Sequence, residues 1–198
     1  MKVITSHGAL NDHHLQKILK TIERATECYP RTFALRVDLR LPEGIWARTD
    51  SACISRSFDS LNAKCYADAV RKRKQGKRVH PCTLRYIWVR EFNLNGKKHY
   101  HVVLLFNKDA YAFLGDFTKE EGTLAAMIAQ AWASALGVAY PEYKSLTYFP
   151  RNPCYFLSRN NPHYDMELAS LLYRVSYLAK EATKISKDGE RNLGTSRN

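Results

Sequence analysis

Between Pro30 and Pro42 the chain alternates without a break. Phe33, Leu35, Val37, Leu39 and Leu41 fall on one side, and Ala34, Arg36, Asp38 and Arg40 on the other. Side chains two apart share a face of a strand, whereas a helix would scatter this set around its axis. The run is therefore expected to be a strand buried on one face. Two further runs, Thr83 to Phe92 and Lys98 to Phe106, are rich in β-branched and aromatic residues and flank Asn93-Leu94-Asn95-Gly96-Lys97. That pattern predicts a hairpin, and with it an antiparallel sheet.

The turn sets what faces what. A three-residue loop of Leu94, Asn95 and Gly96, with Gly96 in the left-handed conformation, pairs Asn93 with Lys97 and hence Glu91 with His99. Glu91, His99 and His101 then look out of the same face. A two-residue Asn95-Gly96 turn would instead put Phe92 opposite His99 and turn Glu91 away. The first register is preferred because it gives the carboxylate a purpose.

Helical periodicity accounts for much of the rest. Leu15, Ile18, Leu19, Ile22 and Ala25 follow Asn11, a good N-cap, and stop at Pro30. Asp50 can cap a second helix striped by Ile54, Phe58, Leu61 and Cys65, which runs out into the basic segment from Arg71 to Arg78. Thr118-Lys119-Glu120-Glu121 has the form of a capping box opening a helix with Leu124, Met127, Ile128, Ala131 and Ala135 that ends at Gly137. A short strand is expected around Leu146 to Phe149, a loop from Pro150 to Pro162, and a last helix from about Asp165 to Thr183. The domain is placed at residues 1–184, with 185–198 a polar, flexible tail.

Lys and Arg number 31 against 19 acidic residues, a formal net charge of +12, which favours a polyanionic partner such as nucleic acid. Arg71, Lys72, Arg73, Lys74, Lys77 and Arg78 form the densest charge and are expected to track phosphates. The five cysteines are odd in number and never in a Cys-x-x-Cys pair, which disfavours a zinc ribbon or a disulfide framework. The start lacks the apolar run of a signal peptide and no stretch is long enough to span a membrane, so a cytoplasmic protein is expected.

Two imidazoles at His99 and His101 can chelate one ion. With a facing Glu91 they leave coordination positions open, which suits Mn²⁺ or Mg²⁺, though zinc also accepts such a set. On the last helix, at about 100° per residue, Tyr173, Tyr177, Lys180 and Lys184 share one arc opposite the apolar stripe of Leu168, Leu171, Val175 and Leu178. A lysine one turn from a tyrosine can stabilise negative charge on a phenolate or a phosphate. Arg36 and Asp38 can flank the site from the first strand, whereas His13 and His14 read as a solvated helix face.

Taken together, His99-Tyr100-His101 and Tyr177-Leu178-Ala179-Lys180 resemble the two motifs of HUH endonucleases of the rolling-circle initiator type, in the initiator order. With Arg36-Val37-Asp38-Leu39 and the Glu91 to Lys108 hairpin, the similarity is greatest to the inovirus-type replication proteins of prophages and satellite elements, over about residues 30 to 184. Arg174 departs from the hydrophobic residue usual at its place in that motif.

The resemblance implies an RRM-like, ferredoxin-like α+β fold of about five antiparallel strands. It also implies metal ligation by His99 and His101 with Glu91 as third ligand, Tyr177 as nucleophile with Lys180 assisting, and Tyr173 available for a second transfer. The implied activity is metal-dependent nicking of single-stranded or hairpin DNA through a 5′-phosphotyrosyl link, with host helicase and polymerase as partners, by a monomer or weak dimer in a bacterial cell. Arg36 and Lys184 would join the basic run in holding DNA. The rival reading is a non-catalytic nucleic-acid-binding module on a similar sheet, which needs the charge and the aromatics but no metal.

Overall fold

The computed structural model describes residues 9–181 and 188–197. Among these, helix α1 (Asp12–Cys28) precedes strand β1 (Arg31–Arg40), helix α2 (Cys53–Lys74), strands β2 (Arg85–Phe92) and β3 (Lys98–Asn107) and helix α3 (Leu124–Leu136). Strand β4 (Thr147–Tyr148), strand β5 (Cys154–Ser158), helix α4 (Tyr164–Ser176) and strand β6 (Leu193–Thr195) complete the described order. The stretch from β1 to β4 is a βαββαβ unit whose strands lie in the order β4-β1-β3-β2, all antiparallel, which is the ferredoxin-like arrangement. The fold is α+β, with six strands among the described residues where about five were expected.

Helices α2 and α3 cover one face. Phe33, Leu35, Val37 and Leu39 of β1 meet Tyr100, Val102, Leu104 and Phe106 of β3 there, packed against Ile54, Phe58, Leu61, Ile128 and Trp132. Burying side chains of this size contributes roughly 1.5–3 kcal/mol each, which makes this layer the main source of stability. The other face of β1 was expected to stay open. It is covered at one end, where Ala34, Val103, Leu105, Ile87 and Val89 pack against Ile18, Ile22, Leu171 and Val175 of α1 and α4. The apolar covering stops short of Arg36, Asp38, His101 and Glu91, polar side chains of the sheet that are nonetheless largely buried.

Three expectations need correction. The Thr118 hydroxyl is engaged with Asp116 at 2.7 Å, and α3 is instead capped by Thr123, whose Oγ1 accepts from the Ala126 N–H at 3.1 Å. The segment from Pro150 to Pro162 is not all loop, because Cys154–Ser158 pairs with Arg31–Leu35. Strands β4 and β5 share one edge of β1, separated by residues 149–153, where Asn152 has φ 53° and the Pro153 carbonyl accepts from the Arg36 N–H.

The expected tail is the third. Residues 193–195 pair with β2 at the opposite edge of the sheet. Gly194 lies so close under the Trp88 indole that a Cβ has no room. The approach to β6 is pinned by the buried Arg90, which donates to Asp188 at 2.6 and 2.8 Å, to Glu190 at 2.6 Å and to Asn192 at 2.9 Å. The side-chain hydrogen bonds from Arg90 lower the Asp188 carboxyl to about 2. A depressed carboxyl stabilises the fold above its ordinary value and loses that contribution as pH falls, here between about pH 4 and pH 2. Amide protection of Leu193 to Ser196, corrected for intrinsic exchange, is therefore expected to fall over that window in the native chain, and already at neutral pH in Asp188→Asn.

Candidate active site

Strand register assembles the site. Arg40, His99 and Glu91 are cross-strand neighbours in one row, and Tyr148, Asp38, His101 and Val89 in the next. Directly paired residues of antiparallel strands project from the same face. The hairpin closes as the three-residue turn: Asn93 N–H donates to the Lys97 carbonyl at 3.1 Å, Gly96 has φ 70°, and Glu91 sits opposite His99.

Ligand atoms of Glu91, His99 and His101 all lie within 4.8 Å of one another. His99 Nε2 and His101 Nε2 are 3.2 Å apart, and Glu91 Oε2 is 3.5 Å from His101 Nε2. The far nitrogen of each ring has its own partner, which fixes the near one. His101 Nδ1 lies 2.5 Å from Asp38 Oδ1, and His99 Nδ1 lies 3.3 Å from the Lys97 carbonyl. With N–H on each Nδ1, both neutral rings turn an Nε2 lone pair towards the carboxylate. Two ligands on one ion at about 2.1 Å stand roughly 3.0–3.4 Å apart for octahedral to tetrahedral angles, so the 3.2 Å histidine pair meets that spacing and the 3.5 Å pair with Glu91 is close to it.

Protonation responds to the same contacts. Burial pushes His101 down most strongly, but the hydrogen bonds with Asp38 and Glu91 outweigh it and leave the ring raised. His99 is lowered, by burial first and by neighbouring His101 second. A proton on His101 Nε2 would occupy the place a cation takes, so cation binding competes with it and strengthens as pH rises. A carboxylate behind a ligating histidine orients it, and removing such a partner typically costs about 10–100-fold in metal affinity. Asp38→Asn is expected to weaken Mn²⁺ binding by that factor in calorimetric titration, with the fold intact. Unchanged affinity would mean that Asp38 does not hold the ring.

Tyr177 and Lys180 reach this cluster by a route that the helical wheel missed. The last helix does not run to Thr183: α4 ends at Ser176 and tightens into a 3-10 turn over Tyr177–Ala179. At three residues per turn, positions i and i+3 eclipse, so Lys180 stands over Tyr177. Lys180 itself is extended (φ −60°, ψ 149°) and bridges to Leu10, while Asn11 N–H donates to the Ala179 carbonyl at 2.8 Å and Glu181 N–H to the Ala9 carbonyl at 3.1 Å. This backbone pairing turns the lysine inward.

Lys180 is only 4% exposed, its ammonium 3.1 Å from Glu91 Oε2 and hydrogen-bonded to the Tyr177 hydroxyl. The Tyr177 ring lies edge-on to His101 with centroids 6.1 Å apart, and the Arg36 guanidinium sits 5.7 Å from its centre. The result is a carboxylate, two imidazoles, an ammonium and a phenol in one continuous set of contacts.

Other expected residues lie elsewhere. Tyr173 is 48% exposed on α4, and among the described residues its side chain joins none of these contacts. Arg71, Lys72, Arg73 and Lys74 occupy the last turn of α2, with Lys77 and Arg78 just beyond, on the other face of the sheet and towards its far end. Arg71 and Lys72 both pair with Asp68. Lys184 lies outside the described residues. No helix among the described residues is long and apolar enough to cross a membrane.

Residues 1–196 match the family model described as the YagK/YfjJ C-terminal domain. The chain belongs to this family. Two relatives from Escherichia coli (strain K12) extend over nearly the whole length. Uncharacterized protein YagK is 40% identical over 200 residues, covering 96% of this chain and 95% of its own. Uncharacterized protein YfjJ is 39% identical over 202 residues, covering 97% and 96%. No solved structure matches the chain. Family membership thus covers the candidate site and both edges of the sheet, from α1 to β6.

Proposed function

We propose that this member of the YagK/YfjJ family is a metal-dependent endonuclease that nicks single-stranded or hairpin DNA through a covalent link to Tyr177. One observation carries the reading: the phenol of Tyr177 shares the Lys180 ammonium with Glu91, which itself faces the two histidine nitrogens. A phenol, a lysine and a mixed imidazole and carboxylate ligand set in one place is the equipment for phosphodiester attack by a side-chain oxygen. The resemblance of the His99 and Tyr177 motifs to HUH initiators supports the same assignment, as does the net charge of +12.

His99, His101 and Glu91 would hold the divalent cation, for which Mn²⁺ or Mg²⁺ best suits a set that leaves positions open for phosphate oxygens. When bound, it supplies Lewis-acid polarisation of the scissile phosphate. Lys180 keeps the Tyr177 oxygen beside that phosphate and presents positive charge where negative charge grows in the transition state. Arg36 offers a second cation on the same rim. The Tyr177 oxygen forms a bond to phosphorus as the bond to the 3′ oxygen breaks. The phenol proton leaves to solvent and the departing oxygen takes one from solvent. The products are a 5′-phosphotyrosyl protein and a free 3′ hydroxyl, and the retained ester allows the reverse step without ATP. A 3′ hydroxyl is also a primer, which suits the start of rolling-circle replication of a phage or mobile element.

The test uses the purified chain, end-labelled single-stranded DNA and Mn²⁺. A labelled species that survives boiling in detergent is expected, and EDTA is expected to abolish it. DNA cut without such a species would point to attack by water, and binding without cutting to the non-catalytic alternative.

A further inference from the structure

The row that carries His101 ends in an aromatic ring on the same face. Tyr148 of β4 pairs directly with Asp38, which pairs with His101, and Tyr148 is 44% exposed. The neighbouring row places Arg40 beside His99, and the Arg40 guanidinium lies 4.6 Å from the centre of the Tyr148 ring. An exposed aromatic topped by an exposed guanidinium therefore stands two strands from His101, with β1 between them. Among the described residues no strand pairs beyond it, because β4 is an edge strand, separated from β5 by residues 149–153.

This pair has little to do in the fold. Tyr148 is outside both apolar clusters, whereas its neighbours Leu146 and Phe149 pack against one of them. What it offers is chemistry for an unpaired nucleotide. Bases stack on aromatic rings and on guanidinium planes regardless of their identity, and a guanidinium also donates to phosphate. Arg36 and Arg40 flank Asp38 along β1, Arg36 beside the Tyr177 ring and Arg40 level with His99, so phosphates adjoining one at the cation site would have positive charge within reach.

We propose that Tyr148 and Arg40 form the subsite for the unpaired nucleotide next to the scissile phosphate, the base stacking on the pair and Arg40 holding the adjoining phosphate. This rests on the reading of the site as one that handles single-stranded DNA. It adds where the strand leaves the site: across β4, at the edge of the sheet away from β6. It also accounts for a substrate that must be unpaired there, since a base still in its duplex cannot lie on the ring.

The experiment uses the full chain and a short single-stranded oligonucleotide of random sequence with 5-iododeoxyuridine in place of thymidine, bound in Ca²⁺ and irradiated. Mass spectrometry is expected to find a crosslink at Tyr148. Tyr148→Ala is expected to weaken binding of the same oligonucleotide by roughly 5- to 150-fold, the stacking of one base. Tyr148→Phe should bind as the native chain does, and Arg40→Ala should weaken binding and flatten its salt dependence by about one phosphate contact. Crosslinks confined to Arg71 to Arg78, or unchanged affinity in Tyr148→Ala, would overturn the subsite. A Mn²⁺-dependent covalent adduct alongside unchanged affinity in Tyr148→Ala would leave the endonuclease reading standing and remove only this inference. Loss of affinity in Tyr148→Ala without any adduct would do the reverse.

Discussion

Lys180→Met is expected to lower the stability of the metal-free protein by about 3–5 kcal/mol, the usual effect of removing one partner from a buried ion pair. Both ends are inside the protein: Glu91 is 2% exposed and Lys180 4%, with the ammonium 3.1 Å from the carboxylate. Removing the lysine leaves the carboxylate facing two imidazoles in a site largely shut off from water. Two companion measurements by urea unfolding separate this from a packing defect. Glu91→Gln combined with Lys180→Met should recover much of the loss, because neither charge then remains buried. Mn²⁺ should stabilise Lys180→Met more than the native chain, since a cation at Glu91 replaces the missing charge. A Lys180→Met protein as stable as the native one, and indifferent to Mn²⁺, would mean that Glu91 is not held as an anion against this lysine.

Tyr177→Phe is expected to abolish covalent adduct formation, a fall of roughly 10⁴-fold or more for loss of a nucleophile, while leaving DNA binding and Mn²⁺ binding close to native. Tyr173→Phe should retain the first cleavage. The contrast follows from the chain path. Tyr177 sits in the tight turn beside His101 and Lys180, whereas Tyr173 is half-exposed one turn earlier on α4. Equal loss in both variants would require Tyr173 to enter the site during the first transfer. Loss in Tyr173→Phe alone would move the nucleophile.

The contrast between these tyrosines also marks where the sequence stops being readable. Local patterns were enough for the strands from Phe33 to Leu39 and across the hairpin, because alternation and a left-handed Gly96 act over a few residues. They left two registers for the hairpin, and the structure takes the preferred one, with Glu91 opposite His99. The wheel placed Tyr173 and Tyr177 together, but it assumed one continuous helix. The helix tightens at Tyr177 and Lys180 turns inward against the backbone of Ala9 to Asn11, a contact across some 170 residues of chain that no local pattern encodes. Strands β5 and β6 escaped notice for a related reason. Cys154 to Ser158 is a short run between prolines, and Leu193-Gly194-Thr195 becomes a strand only because β2 offers an edge and Arg90 anchors the approach. The Asp38 bond to His101 was within reach, since Asp38 lies on the polar side of its strand, but its partner depends on the β1–β3 register.

The central claim, that a phenol on the C-terminal turn is delivered to a cation held by the central hairpin, is tested most directly by digesting the detergent-resistant protein–DNA species and mapping the nucleotide remnant by mass spectrometry. The expected result is a remnant on Tyr177, formed with Mn²⁺ and absent from His99→Ala and His101→Ala. A remnant on any other residue, or cleaved DNA with every tyrosine unmodified, would contradict it.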